Sequence, residues 1–202
     1  MTLIDRYDRV SPVWETAMQR HGFGAAYASL FEALALPRKQ CVCDMGTGCG
    51  DFAAAFAASN GPVERLTLVD PSRRMLDIAC DRLGGNARIV DRLEARLEET
   101  GRYPAFDLLL GAHVIEHCAD PAAAIAALAD MVRPGGHIVL SVSKPHLCQW
   151  LIWLRWGHRW FAPESVDNWL AAAGFVNLRR FEYPSGIPAR VSMAYVAERA
   201  SP

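Results

Sequence analysis

Along the chain, short continuous runs of apolar residues alternate with stretches in which apolar residues recur every three or four positions. Short apolar runs predict strands near 41–45, 65–70, 87–91, 106–112, 136–143, 175–183 and 190–198. Segments with helical spacing predict helices near 50–59, 71–83, 120–132 and 163–173. This alternation indicates βαβ units around a parallel sheet, and such sheets bind ligands at the carboxyl ends of their strands. With no internal repeat and no linker, residues 1–202 are expected to form a single domain.

The first predicted strand runs into a turn that is rich in glycine. Gly46, Gly48 and Gly50 stand at alternate positions, and an alanine-rich run follows them. Glycine permits a positive φ and close approach of a ligand, and a helix start presents unpaired N–H groups. The dinucleotide fingerprint G-x-G-x-x-G would need glycine at position 51, where Asp51 stands.

The order Asp44-x-Gly-x-Gly-x-Gly resembles motif I of the class I S-adenosylmethionine (SAM)-dependent methyltransferases. The resemblance implies SAM as cofactor, with the acid and the turn holding its methionine part. A carboxylate suits the ammonium group, and backbone N–H groups suit the carboxylate. The implied cofactor residues of this segment are Asp44, Gly46, Thr47, Gly48 and Gly50.

The second predicted strand ends at Asp70, twenty residues past Gly50. An acid at this place is suited to bind a ribose diol, although a helix N-cap is the alternative. Proline favours a first helical turn, so Pro71 is expected to begin the next helix. The resemblance extends the cofactor set to Pro71 and Met75.

The third predicted strand ends at Asp91, which Arg92 and Leu93 follow. In the family this place often edges the adenine, with an acid on its exocyclic amine and the next N–H on its ring. The resemblance therefore adds Asp91, Arg92 and Leu93 to the cofactor set. An acid that starts a helix is the alternative.

The segment His113 to Pro121 follows the fourth predicted strand and resembles the "vlEHv-x-dP" segment of ubiquinone-biosynthesis-type O-methyltransferases. The exit Arg133-Pro134-Gly135-Gly136 is also typical of these enzymes, so the resemblance covers about residues 40–144. It implies a Rossmann-like seven-stranded, mostly parallel sheet of order 3-2-1-4-5-7-6, with an antiparallel last strand and helices on both faces. Ala112 and His113 are expected at the cofactor rim.

His113-Val114-Ile115-Glu116-His117 also matches the H-x-x-E-H zinc-peptidase pattern. That site needs a helix carrying both histidines and a third ligand, whereas this segment follows a strand. In some quinone O-methyltransferases an acid, the glutamate and the histidine bind a divalent ion. Here His113 replaces the first acid, so we predict no metal.

Two segments flank the predicted cofactor half. Residues 1–36 predict a helical N-terminal cap, and residues 144–162 form a tryptophan-rich insertion. Trp150, Trp153, Trp156 and Trp160 share one sector of about 120° on a helix. Within 146–161 this face allows a lid over the acceptor, a peripheral membrane contact or a homodimer contact.

The net charge of −1 gives no basic field for nucleic acid, and no apolar leader is visible, so a cytoplasmic protein is expected. His113 is the first candidate for a general base and His146 the second. The sequence predicts methyl transfer to a small apolar or aromatic acceptor, with O- favoured over N-methylation. The alternatives are a lipid or quinone methyltransferase at a membrane surface and a non-catalytic SAM-binding interaction module.

Overall fold

Seven strands pair into one mixed sheet in the order β3-β2-β1-β4-β5-β7-β6. The computed structural model describes residues 20–37, 40–100, 106–146 and 159–201. The strands are β1 Cys41–Met45, β2 Val63–Asp70, β3 Ala87–Glu94, β4 Phe106–Ala112, β5 Val132–Ser143, β6 Phe175–Phe181 and β7 Ser192–Arg199. The five strands from β3 to β5 run parallel, whereas β7 is antiparallel to both β5 and β6. The predicted fold class and strand order are confirmed.

Helices connect these strands, and two of them begin at a residue whose side chain accepts their first N–H groups. They are α1 Phe23–Ala33, α2 Asp51–Asn60, α3 Arg73–Leu83, α4 Pro121–Met131, α5 Pro163–Ala172 and α6 Gly186–Val191. Ser72 caps α3, where its hydroxyl accepts the N–H of Met75. The start predicted at Pro71 is therefore two residues early. The carboxylate of Asp120 caps α4 by accepting from Ala122 and Ala123.

The two faces of the sheet carry separate hydrophobic cores. Successive side chains of a strand point to opposite faces, so Leu109 joins one core and Leu108 the other. Helices α4 and α5 cover the first core. Helices α1, α2, α3 and α6 cover the second. Because both faces are covered, the rim at the carboxyl ends of the parallel strands is where a ligand can reach the sheet.

Several predicted boundaries differ from the structure, by up to four residues. Strand β3 continues to Glu94, because the whole of β2 up to Asp70 pairs with it. Strand β5 begins at Val132 rather than at 136, with a register shift against β4. The loop expected between β6 and β7 contains α6.

The predicted cap and insertion are described only in part. Of the cap, α1 packs through Tyr27 and Phe31 against Phe52 of α2, with ring centroids 4.8 and 5.0 Å apart. Residues 1–19 and the tryptophans at 150, 153 and 156 lie outside the described residues. Phe161, near the end of the insertion, is buried in the core against Trp169. No helix in the described ranges is both long and apolar enough to span a bilayer.

Candidate functional site

The glycine turn between β1 and α2 is the first wall of the site. Its glycines all have positive φ values: Gly46 66°, Gly48 52° and Gly50 80°. A Cβ on Gly50 would lie 2.9 Å from Leu83 Cδ1, so this glycine lets α2 approach α3. Within the part of the chain that the structure describes, a Cβ on Gly48 would meet no atom within 4 Å. Gly48 is therefore the glycine of this turn that faces open space, where a ligand can approach its backbone.

Asp44 lies beneath this turn with a side chain that is 1% exposed. Its Oδ2 accepts a hydrogen bond from the Thr47 hydroxyl at 2.6 Å, while its Oδ1 has no hydrogen-bond partner among the described residues. Burial raises the pKa of Asp44 to about 7, and the bond from Thr47 opposes this shift. A ligand ammonium beside Oδ1 would supply both a donor and a positive charge. Asp44 therefore fits the amino group of the expected cofactor.

Asp70, at the end of β2, forms the second wall of the site. Its Oδ2 accepts the Gly48 N–H at 2.9 Å, and its Oδ1 accepts the Ser72 N–H at 2.8 Å. Each carboxylate oxygen has two lone pairs, so these bonds leave Asp70 the capacity to accept from a diol as well. Asp70 thus fixes the turn and stands where a ribose is expected, and the N-cap of α3 is Ser72 instead.

The other expected cofactor residues near these walls take different positions. Pro71 is half-buried beside the turn, whereas Met75 is buried beneath it, with its Sδ 3.4 Å from Cys49 Sγ. Leu93 is half-buried and pairs with Val69, one residue before the rim. Ala112 ends β4 and is half-buried. Their contacts with the cofactor remain predictions.

The placement of Asp91 and Arg92 at the rim is wrong. Because β3 runs on to Glu94, Asp91 pairs in register with Thr67 and its carboxylate forms an ion pair with Arg65. The guanidinium of Arg92 lies 2.8 Å from the carboxylate of Asp77. Glu94, in register with Asp70, takes the rim position in their place. The end of this strand depends on its pairing with β2, which local sequence does not reveal.

His113 stands immediately past β4 in a left-handed conformation with φ 57°. Such a conformation is uncommon for a residue other than glycine, and strained residues of this kind cluster at functional sites. Its N–H donates to the Ser141 carbonyl at 2.8 Å, which ties it to the end of β5. The ring packs edge-on against Phe23 of α1, with centroids 5.6 Å apart. His113 thus lies at the carboxyl end of β4, and its contact with the cofactor stays a prediction.

The polar neighbours of His113 were not part of the predicted site. Its Nδ1 lies 3.0 Å from Glu116 Oε1 and 3.1 Å from Ser143 Oγ, and its Nε2 lies 3.5 Å from Ser192 Oγ. Glu116 is 1% exposed and accepts the Ser143 N–H at 2.7 Å. The sequence indicates Glu116 only as a candidate metal ligand, and no motif in it points to Ser143 or Ser192. Ser143 and Ser192 pair on adjacent strands but lie far from His113 along the sequence, so only the fold reveals this cluster.

Aromatic side chains cover the cluster on the side of α1 and α6. Tyr183 lies with its ring centroid 6.2 Å from that of Tyr27. The Tyr183 hydroxyl donates to Ser141 Oγ at 2.8 Å, and burial raises the pKa of Tyr183 above its ordinary value. Tyr183 is therefore a neutral donor, and His113 lies against an aromatic group that includes Phe23, Tyr27 and Tyr183.

His146, the second candidate base, lies half-buried three residues past the end of β5. Its role stays a prediction. Within the described ranges, no group of three or more histidine, cysteine, aspartate and glutamate side chains could hold a metal ion. The site described above is thus made of a glycine turn, two carboxylates and a histidine with its partners.

Comparison with known proteins agrees with this geometry. A family model for a methyltransferase domain matches residues 18–179. A ubiquinone biosynthesis O-methyltransferase from Aromatoleum aromaticum is 35% identical over 102 residues, which cover 50% of this chain and 42% of that protein. A biotin biosynthesis bifunctional protein from Bordetella avium is 30% identical over 187 residues, which cover 89% and 33%. The chain thus spans between a third and a half of these curated relatives.

Solved structures show the same fold. A SAM-dependent methyltransferase from Thermotoga maritima has a TM-score of 0.77 at 18% identity, covering 98% of this chain and all of that one. The N-methyltransferase NodS from Bradyrhizobium japonicum, in complex with S-adenosylhomocysteine, has a TM-score of 0.68 at 20% identity, covering 91% and 87%. The family match shows that the chain belongs to the methyltransferase-domain family, and its sheet has the fold of these solved methyltransferases.

Proposed function

We propose that the chain transfers a methyl group from SAM to a hydroxyl of a small aromatic acceptor. The observation that carries the cofactor half of this proposal is the buried Oδ1 of Asp44, which accepts no hydrogen bond from the described residues and lies beside the glycine turn. A buried acceptor without a donor is costly, and an ammonium would remove that cost. In this arrangement Asp44 binds the amino group of SAM and Asp70 accepts from its ribose hydroxyls.

The acceptor half of the proposal is supported by the surroundings of His113. When bound, SAM would supply a methyl group on a sulfonium, whose transfer to the acceptor oxygen would leave S-adenosylhomocysteine as the other product. The chain holds the acceptor in line beneath Phe23 and Tyr183 and excludes water, which is the larger part of such catalysis. His113 takes the hydroxyl proton, since a base helps where the acceptor is still protonated. The name of the Aromatoleum relative also favours an oxygen acceptor.

The first test is calorimetric binding of S-adenosylhomocysteine, the product that shares all the proposed contacts. Wild type should bind, and Asp70→Ala should lose at least about 1.5 kcal/mol with the charge-assisted bonds to the ribose. Asp91→Ala is the matched control, because Asp91 lies away from the rim and pairs with Arg65. Asp70→Asn, which keeps one acceptor oxygen for the turn, guards against simple unfolding of the alanine variant.

Three outcomes would count against the proposal. A wild-type protein without affinity for S-adenosylhomocysteine would remove the cofactor site. Equal losses in Asp70→Ala and Asp91→Ala would place the ribose elsewhere. Asp70→Ala can lose affinity while Asp91→Ala keeps it, and His113→Asn can still methylate a phenolic acceptor at the wild-type rate. That result would retain the cofactor site but contradict the assignment of His113 as the base.

A second candidate is methylation of a quinone or lipid head group at a membrane surface. It is favoured by the ubiquinone/menaquinone biosynthesis C-methyltransferase of Cupriavidus taiwanensis, 36% identical over 106 residues. Co-sedimentation with vesicles that contain anionic lipid separates the two candidates. Binding to the vesicles supports the second candidate, and its absence leaves a water-soluble acceptor.

A further inference from the structure

Two neighbours approach the same nitrogen of His113. Glu116 Oε1 lies 3.0 Å from Nδ1, and Ser143 Oγ lies 3.1 Å from it. A carboxylate oxygen and a hydroxyl make different demands, because a hydroxyl either donates or accepts whereas a carboxylate oxygen accepts. The neighbour that controls Nδ1 therefore decides which ring nitrogen carries the proton.

The geometry indicates that the Glu116 carboxylate, rather than the Ser143 hydroxyl, is the hydrogen-bond partner that orients Nδ1. Its Oε1 already accepts the Ser143 N–H at 2.7 Å, so this oxygen is an acceptor that the backbone of β5 holds in place. If Nδ1 had no proton, its lone pair would face an oxygen lone pair at hydrogen-bond distance. Nδ1–H donating to Oε1 removes that conflict, and burial of the Glu116 side chain strengthens the bond.

The other ring nitrogen then has the opposite character. With the proton on Nδ1, Nε2 carries the lone pair. The Ser192 hydroxyl lies 3.5 Å from Nε2, at the outer limit of a hydrogen bond, so it donates only weakly and an acceptor hydroxyl can displace it. The order of Glu116, His113 and Ser192 resembles a hydrolytic triad. Ser192 is fully buried, however, so it cannot reach a substrate as a nucleophile. What this order provides is an imidazole with a defined tautomer.

We propose that Glu116 is a positioning residue that holds His113 as the Nδ1–H tautomer, so that Nε2 is the nitrogen that receives the acceptor proton. The proposal rests on the proposed function, since it specifies how the base is prepared. Backbone contacts support it: the left-handed His113 is tied through its N–H to Ser141, two residues from the Ser143 N–H that holds Glu116. Base and positioning residue are thus fixed to the same strand end.

The test is nitrogen-15 NMR of the histidine side chains, which distinguishes the two neutral tautomers without any acceptor. The chain has six histidines, and the signal that disappears in His113→Asn identifies the one of interest. In wild type at pH 8, His113 should have its proton on Nδ1. Glu116→Leu, which is close in size but has no acceptor, should shift His113 towards the Nε2–H tautomer.

Two further variants separate Glu116 from its neighbour. Glu116→Gln keeps an acceptor oxygen for both the Ser143 N–H and Nδ1–H, so it should restore the wild-type tautomer. Ser143→Ala removes the competing hydroxyl and should leave the tautomer unchanged. If Glu116→Leu does not fold, the wild-type, Glu116→Gln and Ser143→Ala spectra still decide the question.

Specific results would overturn the proposal. It fails if wild-type His113 carries its proton on Nε2, or on both nitrogens at pH 8, or if Ser143→Ala changes the tautomer while Glu116→Leu does not. These spectra do not depend on cofactor binding, which calorimetry with S-adenosylhomocysteine measures separately. A positioned His113 in a chain that fails to bind S-adenosylhomocysteine would retain this inference while the proposed function falls.

Discussion

The two ends of the site are built in different ways. The end that we propose for the cofactor, called the cofactor end, uses one continuous turn, from Asp44 to Gly50, together with Asp70 at the tip of the neighbouring strand. The end that we propose for the acceptor, called the acceptor end, draws His113, Ser143 and Ser192 from the ends of separate strands and packs against α1. The first end depends on backbone geometry around a buried acid, and the second on side chains that the completed fold brings together. Substitutions should therefore act differently at the two ends.

The largest expected effect is the pH dependence that Asp44 gives to the cofactor end. Its folded pKa of about 7 lies above the ordinary value, so the folded chain keeps a proton that the unfolded chain has lost. The resulting stability is present below about pH 4 and is lost as the pH rises through 7, on the order of 4 kcal/mol. Urea unfolding of the ligand-free protein should show this decline, and Asp44→Asn should lack it.

The prediction fails if the free energy of unfolding falls equally steeply with pH in wild type and in Asp44→Asn between about pH 4 and 7. Other acids would then produce the decline. Saturating S-adenosylhomocysteine should reduce the decline in wild type. Its ammonium beside Asp44 favours the carboxylate form and lowers the pKa of that group.

Crowding at the same turn should produce the next largest effect. Gly50 and Gly22 both precede a helix with nearly identical backbone angles, φ 80° and ψ 15° against φ 82° and ψ 14°. A Cβ on Gly50 meets Leu83 and Ala79 at 2.9 and 3.2 Å, whereas one on Gly22 meets no atom of the described residues within 4 Å. Gly50→Ala should reduce the free energy of unfolding by about 3 kcal/mol from strain and overpacking, and Gly22→Ala by about 1 kcal/mol from strain alone.

Urea denaturation of both variants measures this difference directly. Equal losses would show that only the backbone conformation matters and that α2 and α3 have room to separate. A larger loss at Gly50 would confirm that the cofactor turn is also a packing junction.

The smallest expected effect tests the acceptor end. Tyr183→Phe removes the bond to Ser141 Oγ without changing the aromatic wall. It should lower the free energy of unfolding by about 1 kcal/mol while leaving the affinity for S-adenosylhomocysteine unchanged. Calorimetry with the variant checks the second point, and a marked loss of affinity there would show that the two ends are not separable.

This difference between the two ends also explains what could be predicted from the sequence. Asp44 and the three glycines occupy one short segment whose spacing itself indicates a strand, a turn and a helix, and the structure forms all three. Asp91 was misplaced because the end of β3 follows from pairing with β2 rather than from local pattern. Ser192 had no signal at all, since nothing in sequence relates it to a histidine 79 residues away.

Because β7 is the last strand along the chain, the acceptor end is completed late during translation. This last strand inserts between β5 and β6, and its first residue is Ser192. A ribosome releases the chain from its N-terminus, and structure can form as residues emerge. The segments of the cofactor turn and its neighbouring strands are therefore available long before Ser192 appears. During translation the growing chain can form the glycine turn first, while the polar group around His113 is complete only when the final strand supplies Ser192.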